Sequence, residues 1–204
     1  EVQAVMTLRL KNYDLRNGIE IDTFLNSLNS VAPGQGKEVV ILVKTDSINN
    51  NKKYKTDSNG LQMIPRTVDH YPNFDISPDE PQIEANFQPI TAGIVITDAA
   101  TNRSMGIIND RSQGATSYRD GEIEVMIYRR VFSNDNKGND ENLDDKEMKM
   151  DYKSNRMIQV PQRVKCIHHL IVADTGFQSK FRAKQLDRDN QFLTIYQELN
   201  ATEV

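Results

Sequence analysis

The chain has no tryptophan, one cysteine and three histidines among its 204 residues. The lack of tryptophan counts against a lectin that stacks sugars on aromatic rings. A single cysteine, Cys166, rules out a disulfide within the chain. It lies in the apolar run of residues 164–167, which favours a small buried hydrophobe, because a reactive thiol needs a basic and exposed setting. Cysteine usage therefore leaves the compartment open.

Long apolar runs and an excess of basic residues are also missing. No stretch of 18 apolar residues occurs, so we expect no membrane contact from this chain. The formal net charge is -4 and the pI is about 5.5, which argues against a nucleic-acid partner. The hydrophobic share, 37%, fits an all-β chain with hydrated loops or a piece of a larger protein. No signal-peptide pattern opens the chain, which leaves the compartment of a longer parent protein undecided.

The sequence offers few groups for metal binding or catalysis. His168 and His169 are neighbours in a strand-like run and should point to opposite faces, one inward and one outward, so they do not suit one metal ion. His70 has no plausible partner nearby in sequence. The acidic stretch of residues 134–141 lacks the ligand spacing of an EF-hand and is better explained as a solvated loop. No nucleophile elbow or glycine-rich phosphate loop occurs.

The apolar pattern predicts strands almost throughout. Alternating or continuous β-branched runs occur at residues 5–10, 19–22, 37–45, 92–98, 105–109, 122–131 and 164–173. Residues 37–45 are predicted to be a buried strand, and Asn17-Gly18 signals a hairpin. The tail of residues 177–199 has spacing compatible with a helix. Short strands without a βαβ rhythm predict an all-β fold, a β-sandwich with long loops and a short C-terminal helix.

Two segments are predicted to be surface loops. Residues 64–89 contain five prolines, which disfavour a helix or a central strand. Residues 133–154 are polar and mostly acidic, and are predicted to form a flexible loop. We therefore divide the chain into a main sandwich region, residues 1–132, the acidic loop, residues 133–154, and residues 155–204, whose final strands and tail complete the same domain.

Three ordered motifs carry a sharper signal. Residues 56–60 read Thr-Asp-Ser-Asn-Gly, residues 86–89 read Asn-Phe-Gln-Pro, and residues 110–114 read Asp-Arg-Ser-Gln-Gly. The same stretches in the same order make the chain similar to the C-terminal half of the α-mannosidases of glycoside hydrolase family 38. The likeness covers roughly residues 3–132. An acidic element that follows the double arginine in the family is degraded here at residues 135–138.

The resemblance implies a supersandwich-like, galactose mutarotase-like fold and a lysosomal, vacuolar or Golgi parent enzyme. Such enzymes are retaining glycosidases with two carboxylates and a zinc ion in an N-terminal catalytic domain. No His-x-Asp sequence of that kind occurs in this chain, so we expect no catalytic residue, no metal and no cofactor here. The implied partners are that N-terminal catalytic domain and, for the parent, a mannose-containing glycan.

Three residues are candidates for contact with substrate or with the catalytic domain. Arg129 is predicted to lie on the same face as Ile123, Val125 and Ile127, where a charge needs a partner, either a sugar hydroxyl or a carboxylate. A structural ion pair is the simpler interpretation. Arg111 and Gln113 are further candidates, for which stabilisation of their loop is the simpler role.

Two other functions stay open at this stage. The chain could be an independent β-sandwich that binds glycans or a protein, or an enzyme with an unrecognised site. The scaffold hypothesis predicts an exposed apolar patch where the catalytic domain docks. Asn102 and Asn200 begin glycosylation sequons, which a chain this rich in Asn, Ser and Thr can contain by chance.

Overall fold

The computed structural model describes residues 4–10, 18–26, 28, 36–77, 82–131, 143 and 146–190. The elements, in chain order, are β1 (Ala4–Leu10), β2 (Ile19–Leu25), β3 (Gly36–Lys44), β4 (Lys53–Asp57), β5 (Met63–Thr67), α1 (Gln82–Ala85), β6 (Gln88–Ile90), β7 (Gly93–Thr97), β8 (Ser104–Ile108), β9 (Gln113–Thr116), β10 (Glu122–Val131), β11 (Lys146–Asp151), β12 (Arg156–Pro161), β13 (Val164–Ala173) and α2 (Phe177–Asp189).

Two antiparallel sheets form the body of the fold. The large sheet has the strand order β1-β2-β13-β8-β7-β4-β5, and the small sheet has the order β3-β10-β9-β6. Strands β11 and β12 form a separate hairpin. The predicted all-β sandwich with a short C-terminal helix is therefore confirmed.

The main core lies between the two sheets. Strands β7 and β8 contribute Ile94, Ile96 and Ile107 from the large sheet, and β10 contributes Ile123 and Val125 from the small one; none of the five is measurably exposed. β-Branched side chains pack well on pleated surfaces, which explains why these segments form strands. Each such side chain contributes about 1.5–3 kcal/mol when fully buried.

Helix α2 covers the other face of the large sheet. Phe177 and Phe181 stack with ring centroids 5.6 Å apart and pack against β7, β8 and β13. Gly93 and Gly106 make this approach possible, because a Cβ atom on either would come within 3 Å of a phenylalanine ring. The helix predicted for the tail is confirmed over Phe177–Asp189; residues 191–204 lie outside the described part of the chain.

Strand β3 differs from its prediction as a buried strand. It is an edge strand of the small sheet, and only Ile41 is fully buried. Val40 and Leu42 are 39% and 52% exposed, because nothing among the described residues covers the outer face of this sheet. A continuous apolar run cannot distinguish a strand buried on both faces from an edge strand with one exposed apolar face.

The proline-rich segment of residues 64–89 is more ordered than predicted. It contains most of β5, the short helix α1 and most of β6. Both strands lie at sheet edges, with Pro65 in β5 and Pro89 in β6. Proline is tolerated there because an edge strand needs only one row of hydrogen bonds. The prediction of a loop was wrong for these strands, although proline does mark the edges.

The acidic segment of residues 133–154 needs a similar correction at its C-terminal end. Lys146–Asp151 forms β11, which pairs with β12 in full register from Lys146 opposite Pro161 to Asp151 opposite Arg156. An ion pair between Glu147 and Arg163 holds the hairpin's open end. Residues 133–142 lie outside the described residues, and the domain division itself stays a prediction.

Candidate functional site

The first motif, Thr-Asp-Ser-Asn-Gly at residues 56–60, is built around the buried carboxylate of Asp57. Its Oδ1 atom accepts hydrogen bonds from the backbone N–H groups of Thr91, Ala92 and Gly93 at 2.9, 2.7 and 2.8 Å. Its Oδ2 atom accepts one from Gly60 at 2.7 Å. The carboxylate therefore ties the end of β4 to the turn between β6 and β7, and its oxygens face backbone donors.

The Asn59-Gly60 part of this motif connects the turn between β4 and β5 to helix α2. Asn59 Oδ1 accepts the N–H groups of Leu61 and Gln62, both at 3.0 Å. The carbonyl of Gly60 accepts hydrogen bonds from Arg182 and Gln185 of α2. Gly60 has a φ of 76°, a conformation that glycine adopts without the strain a Cβ would impose. The motif is thus a joint between the sheet and the helix.

The second motif, Asn-Phe-Gln-Pro at residues 86–89, serves a similar purpose. The buried Asn86 side chain accepts the N–H of Asp69 at 2.8 Å and donates to its carboxylate at 2.7 Å. The Asn86 carbonyl accepts the hydroxyl of Tyr54 at 2.7 Å. Burial raises the pKa of Tyr54 to about 12. This hydroxyl is therefore a structural donor and not an acid for chemistry near neutral pH.

The third motif, Asp-Arg-Ser-Gln-Gly at residues 110–114, contains two of the candidate residues. Arg111 forms two hydrogen bonds of 3.0 Å with Asp110 and donates to the carbonyl of Lys165. Asp110 also accepts the N–H of Ile167 at 2.9 Å. Burial alone would raise the pKa of Asp110, but the bonds from Arg111 and Ile167 outweigh it and leave the pKa below its usual range. The pair fastens the loop to β13.

Gln113 bridges the two sheets. Its Nε2 donates to the carbonyl of Met126 at 2.8 Å, so its Oε1 faces His168 Nε2, also at 2.8 Å. Since Oε1 can only accept, His168 must donate through Nε2, which fixes its tautomer. Burial lowers the pKa of His168 to about 4, so the ring is neutral near pH 7. Arg111 therefore contacts its own loop and β13, and Gln113 contacts β10 and β13; their candidacy for substrate or interdomain contact stays a prediction.

Arg129 does not lie where the sequence placed it. The pairing of β10 with β3 shifts between Met126 and Tyr128, which leaves Ile127 as the extra residue of a β-bulge. The faces of the strand exchange beyond this point, so Arg129 is exposed and Arg130 is 2% exposed. The prediction that Arg129 shares the face of Ile123 and Val125 was wrong.

The double arginine therefore divides into an inner and an outer residue. Arg130 donates to the carbonyl of Leu28, which follows β2. Arg129 lies opposite Glu38 of β3. Burial raises the pKa of Glu38, and the charge of Arg129 opposes that shift. Sequence periodicity alone could not find Arg130, because the bulge resets the alternation.

The two neighbouring histidines are both buried, at 0% and 7% exposure, so the prediction of one outward histidine was wrong. His168 points to the small sheet, while His169 lies on the opposite face beside Glu20, at 3.7 Å. Both faces of β13 are packed, because Leu170 lies against the core between the sheets and Ile171 and Ala173 lie against α2. Cys166 is fully buried as predicted, and burial raises its thiol pKa to about 11.

The described residues contain no group of three or more His, Cys, Asp or Glu side chains placed to hold a metal ion. Burial is the largest cause of the pKa shifts of His168, Cys166 and Tyr54. None of the three lines the groove of about 1000 Å³ beside α2, whose walls include Lys55, Thr97 and Arg182. Neither α1 nor α2 is long or apolar enough to cross a bilayer.

Strand β1 exposes a row of apolar side chains. Met6, Leu8 and Leu10 are 53%, 62% and 78% exposed. Leu8 lies opposite Ile21 of β2, and Ile21 lies opposite His168 of β13, so all three point to the same face. Nearer the middle of the large sheet, the small sheet covers this same face. We call Met6, Leu8 and Leu10 the β1 stripe.

Exposure is low at His168 (0%) and Ile21 (3%) and jumps to 62% at Leu8 on the edge strand. The β1 stripe therefore continues the inner face of the sandwich beyond the small sheet. The opposite face of β1 carries Arg9, which is paired with Glu20 and Asp22 at 2.8 and 3.1 Å. The strand is thus firmly attached to β2, with its apolar side open.

Comparison with known proteins agrees with the motifs. The family model for the C-terminal domain of glycosyl hydrolases family 38 matches residues 2–137. The human lysosomal alpha-mannosidase is 36% identical over 108 residues, 53% of this chain and 10% of the human protein. A probable alpha-mannosidase of Arabidopsis thaliana is 31% identical over 133 residues, 65% of this chain and 12% of its own length.

The lysosomal alpha-mannosidase of Dictyostelium discoideum is 29% identical over 136 residues, 67% of this chain and 13% of that protein. The chain therefore spans about a tenth of the length of the curated relatives it matches. All three motifs and the buried strands β7 to β10 fall inside the region matched by the family model. The chain belongs to the C-terminal domain family of the family 38 glycosyl hydrolases.

Proposed function

We propose that this chain is the non-catalytic C-terminal β domain of a retaining α-mannosidase that removes terminal α-mannosyl residues from glycans. In this role it packs against the catalytic part of the same enzyme and helps to shape its active site. The observation that carries the proposal is the β1 stripe, an apolar edge strand that continues the inner face of the sandwich and has no cover among the described residues.

An uncovered edge of this kind is costly for an isolated domain. Edge strands with apolar faces and free backbone groups attract other chains, and proteins normally protect them with charge, proline or a covering element. Of the seven residues of β1, only Arg9 is charged, and it forms an ion pair with β2. Contiguous exposed apolar surface marks a site of interaction. The β1 stripe therefore fits a surface that another part of a protein covers.

The proposed occupant is the rest of the same enzyme. The relatives are about ten times longer than the matched region, and each is named as an alpha-mannosidase. A domain that lacks its own catalytic groups, but belongs to a family of long enzymes, has the remainder of such an enzyme as its natural neighbour. In the wild-type enzyme this contact would bury the leucine and methionine side chains of the β1 stripe. Each one that is fully covered would stabilise the contact by about 1.5–3 kcal/mol.

The polar motif residues support a scaffold role. The side chains of Asp57, Asn86 and Asp110 bind backbone groups of neighbouring segments. Arg111 and Gln113 also bind backbone groups of neighbouring segments, so we assign a structural role to both. Arg129 remains the candidate for contact with the catalytic domain or with substrate, since it is exposed at the end of β10.

We assign the zinc ion and both catalytic carboxylates of such an enzyme to its catalytic part. Among the described residues of this chain, no three or more His, Cys, Asp or Glu side chains are placed to hold such an ion. The human and Dictyostelium relatives are named lysosomal, which supports a lysosomal or vacuolar destination.

The docking proposal is tested with Leu8→Lys in the full-length enzyme and in the isolated chain. A lysine at this exposed position should change the free energy of unfolding of the isolated chain by less than about 0.5 kcal/mol. In the full-length enzyme it would place a charge in an apolar interface and lower the thermal stability and the activity on a chromogenic α-mannoside.

Leu61→Lys is the matched control. Leu61 is 75% exposed in the turn between β4 and β5, far along the sheet from β1. It should be neutral in both proteins. The proposal fails if Leu8→Lys and Leu61→Lys have equal effects in the full-length enzyme. An exposed surface that instead recruits other proteins or glycans, as an independent binding module would, predicts a stable and active full-length Leu8→Lys enzyme.

A further inference from the structure

The hairpin between β7 and β8 carries a potential modification site. Residues 102–104 read Asn-Arg-Ser, one of two Asn-x-Ser/Thr sequences in the chain. The other begins at Asn200, outside the described residues. The sequence does not rank the two, but the structure shows the surroundings of Asn102.

Asn102 lies in the connection between β7 and β8, two residues before β8 begins. Asp98 Oδ1 accepts the N–H groups of Ala100 and Thr101 at 2.8 and 3.2 Å, and the Asp98 N–H donates to the Arg103 carbonyl at 2.9 Å. Asn102 has a φ of 56°, a left-handed conformation that asparagine tolerates better than most residues. The turn places the Asn102 side chain in an exposed position.

The Asn102 carboxamide is also lightly engaged. Its Nδ2 donates one exposed hydrogen bond of 3.2 Å to the carbonyl of Asp174. By contrast, the buried amides of Asn50, Asn86 and Asn109 bind several groups each inside the fold. Among the asparagines of these turns, Asn102 combines a sequon with an exposed and replaceable contact.

We propose that Asn102 carries an N-linked glycan. In the reaction, the Asn102 amide nitrogen attacks the anomeric carbon of a lipid-diphosphate-linked oligosaccharide. The new N–C bond forms as the C–O bond to the lipid diphosphate breaks, and the amide proton leaves with the departing group. The Ser104 hydroxyl supplies the second element of the sequon. This inference rests on the proposed lysosomal or vacuolar destination, because the donor is met in the secretory pathway.

A glycan at Asn102 is compatible with docking through the β1 stripe. Strands β2 and β13 separate β8 from β1 in the large sheet. Three strand spacings of about 4.8 Å place the two strands roughly 14 Å apart. The sugar would leave from the end of a hairpin, whereas the β1 stripe points away from the inner face of the large sheet. Both surfaces can therefore be used in one enzyme.

The test expresses the full 204-residue chain behind a cleavable signal peptide and translates it in the presence of microsomes. Release by peptide N-glycosidase in heavy-oxygen water converts each glycosylated asparagine into a labelled aspartate, which peptide mass spectrometry then locates. We expect label at Asn102. Asn102→Asp should remove one glycan-sized mobility step, and Asp suits the same left-handed turn.

Matched variants separate the sequon from the hairpin. Ser104→Ala should abolish the glycan and Ser104→Thr should retain it. The hydroxyls of Thr97 and Ser104 lie 2.9 Å apart, so Thr97→Ala removes the same hydrogen bond but keeps the sequon, and its glycan should persist. An unlabelled Asn102 in microsomes overturns the inference. Label in microsomes, with none on the protein purified from its own cells, would leave the site intact and contradict the proposed compartment instead.

Discussion

Replacement of Asp57 by asparagine is a small chemical change, but it should destabilise the chain strongly. The Asp57 side chain is 2% exposed, and its two oxygens accept four backbone N–H groups from the end of β4 and the β6–β7 turn. In Asp57→Asn one oxygen remains for Thr91, Ala92 and Gly93. The new NH₂ group then faces the N–H of Gly60, so two donors meet.

The size of the effect follows from these four contacts. Hydrogen bonds to a charged group contribute about 1.5–3 kcal/mol each, and a buried donor left without an acceptor costs about 1–3 kcal/mol. Asp57→Asn loses one such bond outright and weakens three by removing the charge. We expect a loss of roughly 2–4 kcal/mol in the free energy of unfolding. Against a typical total of about 5–15 kcal/mol, that is a large fraction.

Urea denaturation of the chain, followed by circular dichroism, measures the loss directly. Asp46→Asn is the matched control, because Asp46 is exposed in the turn after β3. Its change should stay within about 0.5 kcal/mol. If Asp57→Asn unfolds at the same urea concentration as the wild type, the motif is not a structural joint.

Two further predictions concern the interior. Since burial lowers the pKa of His168 to about 4, the unfolded chain binds the extra proton first, and stability should fall as the pH drops from about 6.5 to 4. His168→Asn should flatten this pH dependence in urea titrations, whereas the same change at the exposed His70 should not. If the free energy of unfolding depends on pH equally steeply in the wild type and in His168→Asn, the prediction is refuted. Arg130→Ala should lower stability by about 2–4 kcal/mol because it removes a buried donor, while Arg129→Ala stays within about 0.5 kcal/mol; the reverse order would contradict the bulge at Ile127.

Sequence patterns predicted the general fold correctly because local signals and burial agree in the central strands. Residues 92–98 and 105–109 predicted the paired strands β7 and β8, and residues 164–173 predicted β13. The position of a strand within a sheet is not encoded locally. Residues 37–45 became an edge strand, and His169 is buried in a strand that is packed on both faces.

The candidate site shows the same limit more sharply. The alternation of β10 fails at Ile127, because a bulge depends on how β10 pairs with β3 and not on its own composition. This single extra residue exchanged the roles of Arg129 and Arg130. The β1 stripe also needed the structure, since residues 5–10 have an ordinary alternating pattern until their neighbours are known.

The central claim is that this chain supports an α-mannosidase without performing its chemistry. The direct measurement compares the 204-residue chain with the full-length enzyme on a chromogenic α-mannoside in the presence of zinc. The account predicts turnover by the full-length enzyme and none by the chain at equal concentration. Zinc-dependent hydrolysis by the purified chain alone would contradict it.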